Sequence, residues 1–156
     1  ANVVASIANR GYFYTPHCIK GVGVEKSLDK RFKEKHFTYV QNQLAYDNVL
    51  DGMQSCVDAG TGRASKLKDI IVCGKTGTAE NPHGKDHAVF SAFAPREKPK
   101  IAIVCFIENA GFGGTWSAPI VGLMIEKYLT RKVTRPDVEK RMIEANLIKG
   151  TNLLGR

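Results

Sequence analysis

Three β-type segments joined by connectors too short for a crossover helix constrain this chain more than any other feature. Asp69 to Gly77, Ala88 to Ala94 and Lys100 to Glu108 are rich in β-branched and aromatic residues. Ile70, Ile71 and Val72 are contiguous in the first, and Ile101, Ile103, Val104 and Phe106 mark the third. Only Asn81 to Asp86 and Pro95 to Pro99 lie between them. A parallel pair needs about a dozen connecting residues or more, so consecutive strands must run antiparallel. Helical periodicity brackets the three. Val49, Leu50, Met53 and Val57 recur at three- and four-residue steps and predict a helix from about Leu44 to Ala59, stopped at Gly60. A glycine-rich loop, Gly111-Phe112-Gly113-Gly114, opens a second helix with Ser117 as its cap and Pro119 in its first turn. Ile120, Leu123, Met124 and Tyr128 run along that helix. The expected fold class is α+β, an antiparallel sheet of at least three strands packed with helices.

The flanks are less regular. Ala1 to Ala8 reads as the middle of a helix, because Val4, Ile7 and Ala8 share a face and no capping residue precedes them, so the start reads as cut. Asn9-Arg10-Gly11 stops it. Tyr12 to Lys20 predicts a strand or extended arm interrupted at Pro16, and residues 21–42 a polar surface excursion with a short strand from Phe37 to Val40. Residues 1–130 are expected to form the body. Residues 131–156 are expected to form a tail, with an amphipathic helix from Pro136 to Leu147 and a mobile polar end.

Charge and cysteines narrow the function classes. With 23 Lys and Arg against 15 Asp and Glu, the formal charge is +8, which raises the question of an anionic partner. Basic residues are spread along the chain without interleaved aromatics, so a nucleic-acid groove is not expected. Cys18, Cys56, Cys73 and Cys105 form no C-x-x-C pair, which argues against a redox dithiol or structural zinc and for buried free thiols, while the even count permits two disulfides of unassigned pairing in an oxidising compartment. No apolar run reaches the roughly eighteen residues of a membrane span.

The chemistry-bearing run is Cys73-Gly74-Lys75-Thr76-Gly77-Thr78-Ala79-Glu80. Gly74-Lys75-Thr76 imitates the end of a phosphate-binding loop, but such a loop needs glycine where Asp69 stands. His83 and His87 have metal-ligand spacing only on a helix, which Pro82, Gly84 and Asp86 oppose, so no metal site is expected. His87, at the mouth of the next strand, is a candidate for orienting substrate or the motif lysine. Trp116 reads as a lid on the helix–sheet core, and Glu80 as a solvated carboxylate.

In its setting, Lys75-Thr76-Gly77-Thr78-Ala79 resembles the third signature of penicillin-binding proteins and serine β-lactamases. Gly60-Thr61-Gly62, Asn81 to His87, Phe90-Ser91-Ala92-Phe93-Ala94-Pro95, Gly113-Gly114 and Ala118-Pro119 extend the resemblance. It is similar to the C-terminal part of class B penicillin-binding proteins, and within them to penicillin-binding protein 2, the D,D-transpeptidase of sidewall elongation. The resemblance implies partners and place: a D-Ala-D-Ala stem peptide, β-lactam antibiotics, the elongation machinery, and the periplasmic face of the inner membrane. It also implies roles, with no cofactor. Lys75 supplies positive charge and supports proton transfer, Thr76 and Thr78 bind the substrate carboxylate, Gly77 admits the substrate, and the Thr78 N–H serves the oxyanion hole.

The family nucleophile lies in an S-x-x-K far upstream of K-T-G, with an S-x-N between. Only 74 residues precede Lys75 and no S-x-N occurs. Ser27-Leu28-Asp29-Lys30 and Ser65-Lys66-Leu67-Lys68 are read as chance strings. The expectation is therefore a chain that supplies the K-T-G wall, is silent by itself, and has its nucleophile upstream of Ala1. A non-catalytic peptide- or protein-binding module and a fragment of a serine β-lactamase or D,D-carboxypeptidase stand as alternatives.

Overall fold

The computed structural model describes residues 1–24, 27–40 and 42–148. Helix α1 (Asn2–Ala8) is followed by β1 (Tyr12–Tyr14), β2 (Lys35–Phe37) and helix α2 (Gln43–Asp58). Strands β3 (Cys73–Ala79), β4 (His87–Ala94) and β5 (Ile101–Ile107) come next, then helices α3 (Ser117–Thr130) and α4 (Pro136–Glu144). As the short connectors require, β3, β4 and β5 form one antiparallel sheet in that order. β1 and β2 form a separate two-stranded sheet.

The central strand β4 is apolar on both faces because both are covered. Phe90, Ala92 and Ala94 point into a core with Val57, Leu67, Val72, Ala118, Val121 and Ile125, placing α3 on that face. Phe93 points the other way, into a cluster with Val4, Ala8, Leu50, Met53 and Cys73, which seats α1 and α2. Helix α2 earns its place by pattern: Tyr46, Leu50, Met53 and Val57 are its buried residues. The Asn42 side chain caps it by accepting from the Ala45 N–H.

The glycine of β3 nearest this core is fixed by contact. A Cβ on Gly74 would stand 2.5 Å from Cζ of Phe90, a fully buried ring. Phe90 is opposite Thr76 in the register, and Gly74 is opposite Ala92. The strand can carry hydroxyls at its solvent end only because glycine makes room for the ring at its buried end.

Several boundaries differ from the sequence reading. β3 begins at Cys73, not Asp69, because Ile70 packs against the core and Ile71 is exposed instead of joining the ladder. β1 stops at Tyr14, two residues before Pro16, and pairs Tyr12 with Phe37 and Tyr14 with Lys35. The second short strand is therefore Lys35–Phe37, since Thr38 and the Val40 carbonyl are drawn to the Tyr46 hydroxyl. α4 ends at Glu144, not Leu147, and buries no residue. The expected mobile end falls largely on residues 149–156, which lie outside the described residues. Ser117 is not the cap of α3 but lies inside the helix, its buried hydroxyl donating to the Ala88 carbonyl at 3.0 Å. The thiols are free, and Cys73 is buried as expected, but Cys18 is exposed and Cys56 and Cys105 are half-buried.

Two consequences can be measured. Gly74→Ala should overpack the Phe90 contact and lower stability by about 1–3 kcal/mol in urea titration; an unchanged midpoint would show the ring free to yield. Burial pushes the Cys73 thiol from 9.0 up to about 11. Its folded pKa being raised, this group's contribution is complete below pH 9 and is lost as pH rises through 11. At pH 8, a thiol reagent should therefore label Cys18 in the folded chain and reach Cys73 only after denaturant is added.

Candidate active site

Among the described residues β3 is bonded to β4 on one side only, so its other margin is the open edge of the sheet. Alternation divides its side chains between the two faces. Gly74, Thr76 and Thr78 belong to the α3 face, while Cys73, Lys75 and Gly77 belong to the other. Lys75 is exposed, and its Nζ curls back to donate to the Thr76 carbonyl at 2.8 Å. Among the described residues it joins no ion pair. An ammonium without an acid partner at a strand edge is a ready counter-charge for an incoming anion. Opposite Lys75 stands Ser91.

Thr76 and Thr78 line an open cleft of about 330 Å³ with Thr61, Phe112, Gly113, Gly114 and Thr115. Its floor is strand and its roof is the glycine-rich loop. A Cβ on Gly113 would stand 2.0 Å from the Val89 carbonyl oxygen and 2.9 Å from that of Gly77. One on Gly114 would stand 2.4 Å from the Thr61 carbonyl oxygen. These glycines are thus required by close backbone approach.

Thr61 enters the site by a route the motif does not predict. The Thr61 and Thr76 hydroxyls are 2.7 Å apart, and Thr61 lies within 3.7 Å of the Cys56 thiol. The turn that presents it is wrapped tightly on the end of α2. A Cβ on Gly60 would meet the Cys56 backbone at 2.9 Å, and the Gly62 N–H donates to the Cys56 carbonyl at 2.9 Å. Gly60-Thr61-Gly62 is visible in the sequence as a turn, but its pairing with a strand fifteen residues on is not.

His87 lies opposite Ala79, four positions along β4 from Ser91 and so about 13 Å from the level of Lys75 by the rise of a strand. Its Nδ1 accepts from the Asn109 N–H at 3.0 Å and its ring packs on Phe106. The Asn81 amide donates to Asn109 Oδ1, and the Gly111 N–H to the Asp86 carbonyl. His87 therefore belongs to the knot from which the glycine-rich loop springs. His83 is exposed, and among the described residues no group of three His, Cys, Asp or Glu side chains is placed to hold a metal ion. Ser65 is fully buried and donates to the Gly62 carbonyl; Ser27 is exposed and donates to that of Val22. Trp116 is half-buried at the start of α3, and Glu80 is exposed.

Residues 1–126 match the model of the penicillin binding protein transpeptidase domain. The chain belongs to that family. The peptidoglycan D,D-transpeptidase MrdA of Haemophilus influenzae is 29% identical over 90% of this chain and 24% of its own length. Stage V sporulation protein D of Bacillus subtilis is 31% identical over 90% of this chain and 23% of its own. The transpeptidase-family chain thus spans about a quarter of the curated relatives it matches. Pseudomonas aeruginosa PBP2, solved in complex with WCK 5153, superposes with TM-score 0.69 at 30% identity, over 81% of this chain and 28% of that one. Penicillin-binding protein A of Mycobacterium tuberculosis, solved as a ceftriaxone acyl-enzyme complex, gives 0.68 at 25%, over 82% and 31%. The class B resemblance read from the K-T-G region and the α+β sheet hold together in these matches. Among the described residues no helix is long and apolar enough to cross a membrane.

The roof of the cleft is open to a direct test. Gly113→Ala forces the loop off the Val89 and Gly77 carbonyls, so stability should fall by about 1–3 kcal/mol. Hydrogen exchange in residues 109–115 should rise with it, and an unchanged exchange pattern would mean that the loop does not rest on the strands.

Proposed function

We propose that this chain supplies the substrate-binding wall of a peptidoglycan D,D-transpeptidase of the penicillin-binding protein 2 group, acting in cell-wall elongation. The observation that carries the reading is an open strand edge bearing a lysine that has no acid partner among the described residues, beside a hydroxyl-lined cleft. The relatives agree with it: MrdA is a peptidoglycan D,D-transpeptidase, and PBP2 of Helicobacter pylori has been solved in complex with MreC at TM-score 0.61 and 25% identity, over 81% of this chain and 23% of that one.

An extended stem peptide ending in D-Ala-D-Ala lies along β3 as an added strand, and Gly77 lets it come close. Its terminal carboxylate is held by the Thr76 and Thr78 hydroxyls, with Lys75 supplying charge and helping to move the nucleophile's proton. The Thr78 N–H is one of the oxyanion donors, which act where charge develops on the scissile carbonyl. His87 serves binding through the loop it anchors. β-Lactams occupy the same wall. The acylated serine comes from another part of the domain, since Ser65 is buried and the exposed Ser27 hydroxyl is turned onto the Val22 carbonyl. The 1–130 body carries this wall, and the work is done on the periplasmic face of the inner membrane.

Incubation with a fluorescent penicillin followed by intact mass spectrometry tests the reading. The intact transpeptidase should gain one covalent adduct, and the 156-residue chain alone none. In the intact protein, Lys75→Ala should slow acylation by about 10²–10⁴, the range for a proton-transfer group. Acylation at the wild-type rate would remove Lys75 from the chemistry, and an adduct on the chain alone would overturn the placement of the nucleophile.

A further inference from the structure

Arg135 lies nine residues beyond Glu126, the last residue of the family match, yet it reaches back to the segment that leads into β3. α3 ends at Thr130, and Arg131 in the left-handed conformation turns the chain back on itself. The Arg135 guanidinium then enters the crevice between α3 and the 3-10 turn Arg63–Ser65. Nε pairs with Glu126 Oε2 at 3.4 Å. Nη1 donates to the carbonyls of Ala64 at 3.2 Å and Lys66 at 3.4 Å. Glu126 is only 6% exposed, and its other oxygen accepts from the Thr134 hydroxyl. Gly122 leaves the room required: a Cβ there would stand 3.0 Å from Nη2 and 2.8 Å from Ser65 Cα.

The two carbonyls it holds flank Ser65, and that residue continues the connection. The Ser65 hydroxyl and N–H both donate to the Gly62 carbonyl, at 2.8 and 2.9 Å. Gly62 is tied in turn to Cys56, and Thr61 beside it meets the Thr76 hydroxyl at 2.7 Å. A hydroxyl has a single proton to give. If Thr76 donates to a substrate carboxylate, Thr61 must be the donor to Thr76, so the place of Thr61 decides whether that bond is aimed at the cleft. The turn is thus held at one end by α2 and at the other by a side chain from outside the matched domain.

We propose that Arg135, through its pair with buried Glu126, is a positioning residue for carboxylate recognition by Thr76. This rests on the reading that Thr76 faces the substrate carboxylate. A planar five-donor fork suits the task, since one group must satisfy a carboxylate and two carbonyls at once. A lysine offers a point charge and cannot span all three.

The test uses the intact transpeptidase and two probes, a penicillin and its methyl ester, which lacks the anion. Wild type should be acylated faster by the acid. Arg135→Ala combined with Glu126→Gln removes the clasp without stranding a buried charge, and Arg135→Lys keeps the charge while losing the fork. In either variant the acid-over-ester preference should fall at least tenfold. In a Thr61→Val background the same changes should move it less than twofold. Arg135→Lys serves alone if the double variant does not fold. A full preference in a folded variant, or an equal loss in the Thr61→Val background, overturns the proposal. Absence of any acid preference in wild type instead sinks the reading of Thr76 on which it stands.

Discussion

The pairing of β3 with β4 fixes nearly everything else in this chain. Cys73 to Ala79 runs against Phe93 to His87, and β4 is packed on both sides, so the register assigns each residue of β3 to one of two cores or to the cleft. A slip of one residue would send every side chain to the opposite face. Cys73 would leave the α1–α2 cluster, and the two threonines would leave the cleft. Gly74 holds the register as a lock does, because only the absence of a Cβ lets Phe90 lie where it does.

From that constraint the site is assembled largely by backbone proximity. Glycines at 60, 62, 113 and 114 bring a turn and a loop down onto the edge strand, and each marks a place where a methyl group would meet main-chain atoms within about 3.2 Å. The polar groups then follow from position. Thr61 and Thr76 share a hydrogen bond, and Lys75 is left with a carbonyl for a partner in place of a carboxylate.

Helix α3, on the same face of the sheet as the cleft, solves a different problem. The buried carboxylate of Glu126 in an apolar helix face is tolerable only with Arg135 and Thr134 upon it. The last turn before α4 is therefore part of the packed body, while α4 itself buries nothing. The charge that stabilises the end of α3 is the same charge that grips the approach to the K-T-G strand.

Much of this was determined by the sequence alone. Helix α2 is written in the spacing of Leu50, Met53 and Val57, and the antiparallel sheet in the brevity of its connectors, because periodicity and connector length are local quantities; Val49, read onto the same helical face, is exposed instead, and Tyr46 takes its place in the core. What the tertiary structure decided are meetings between distant residues: Thr61 with Thr76, Ser117 with the Ala88 carbonyl, Arg135 with Ala64 and Lys66. It also decided that β3 starts at Cys73, with Ile70 packed against the core ahead of it. A side chain's pattern tells which way it must face. Its partner is chosen only when the fold brings two surfaces together, and no spacing along the chain encodes that choice.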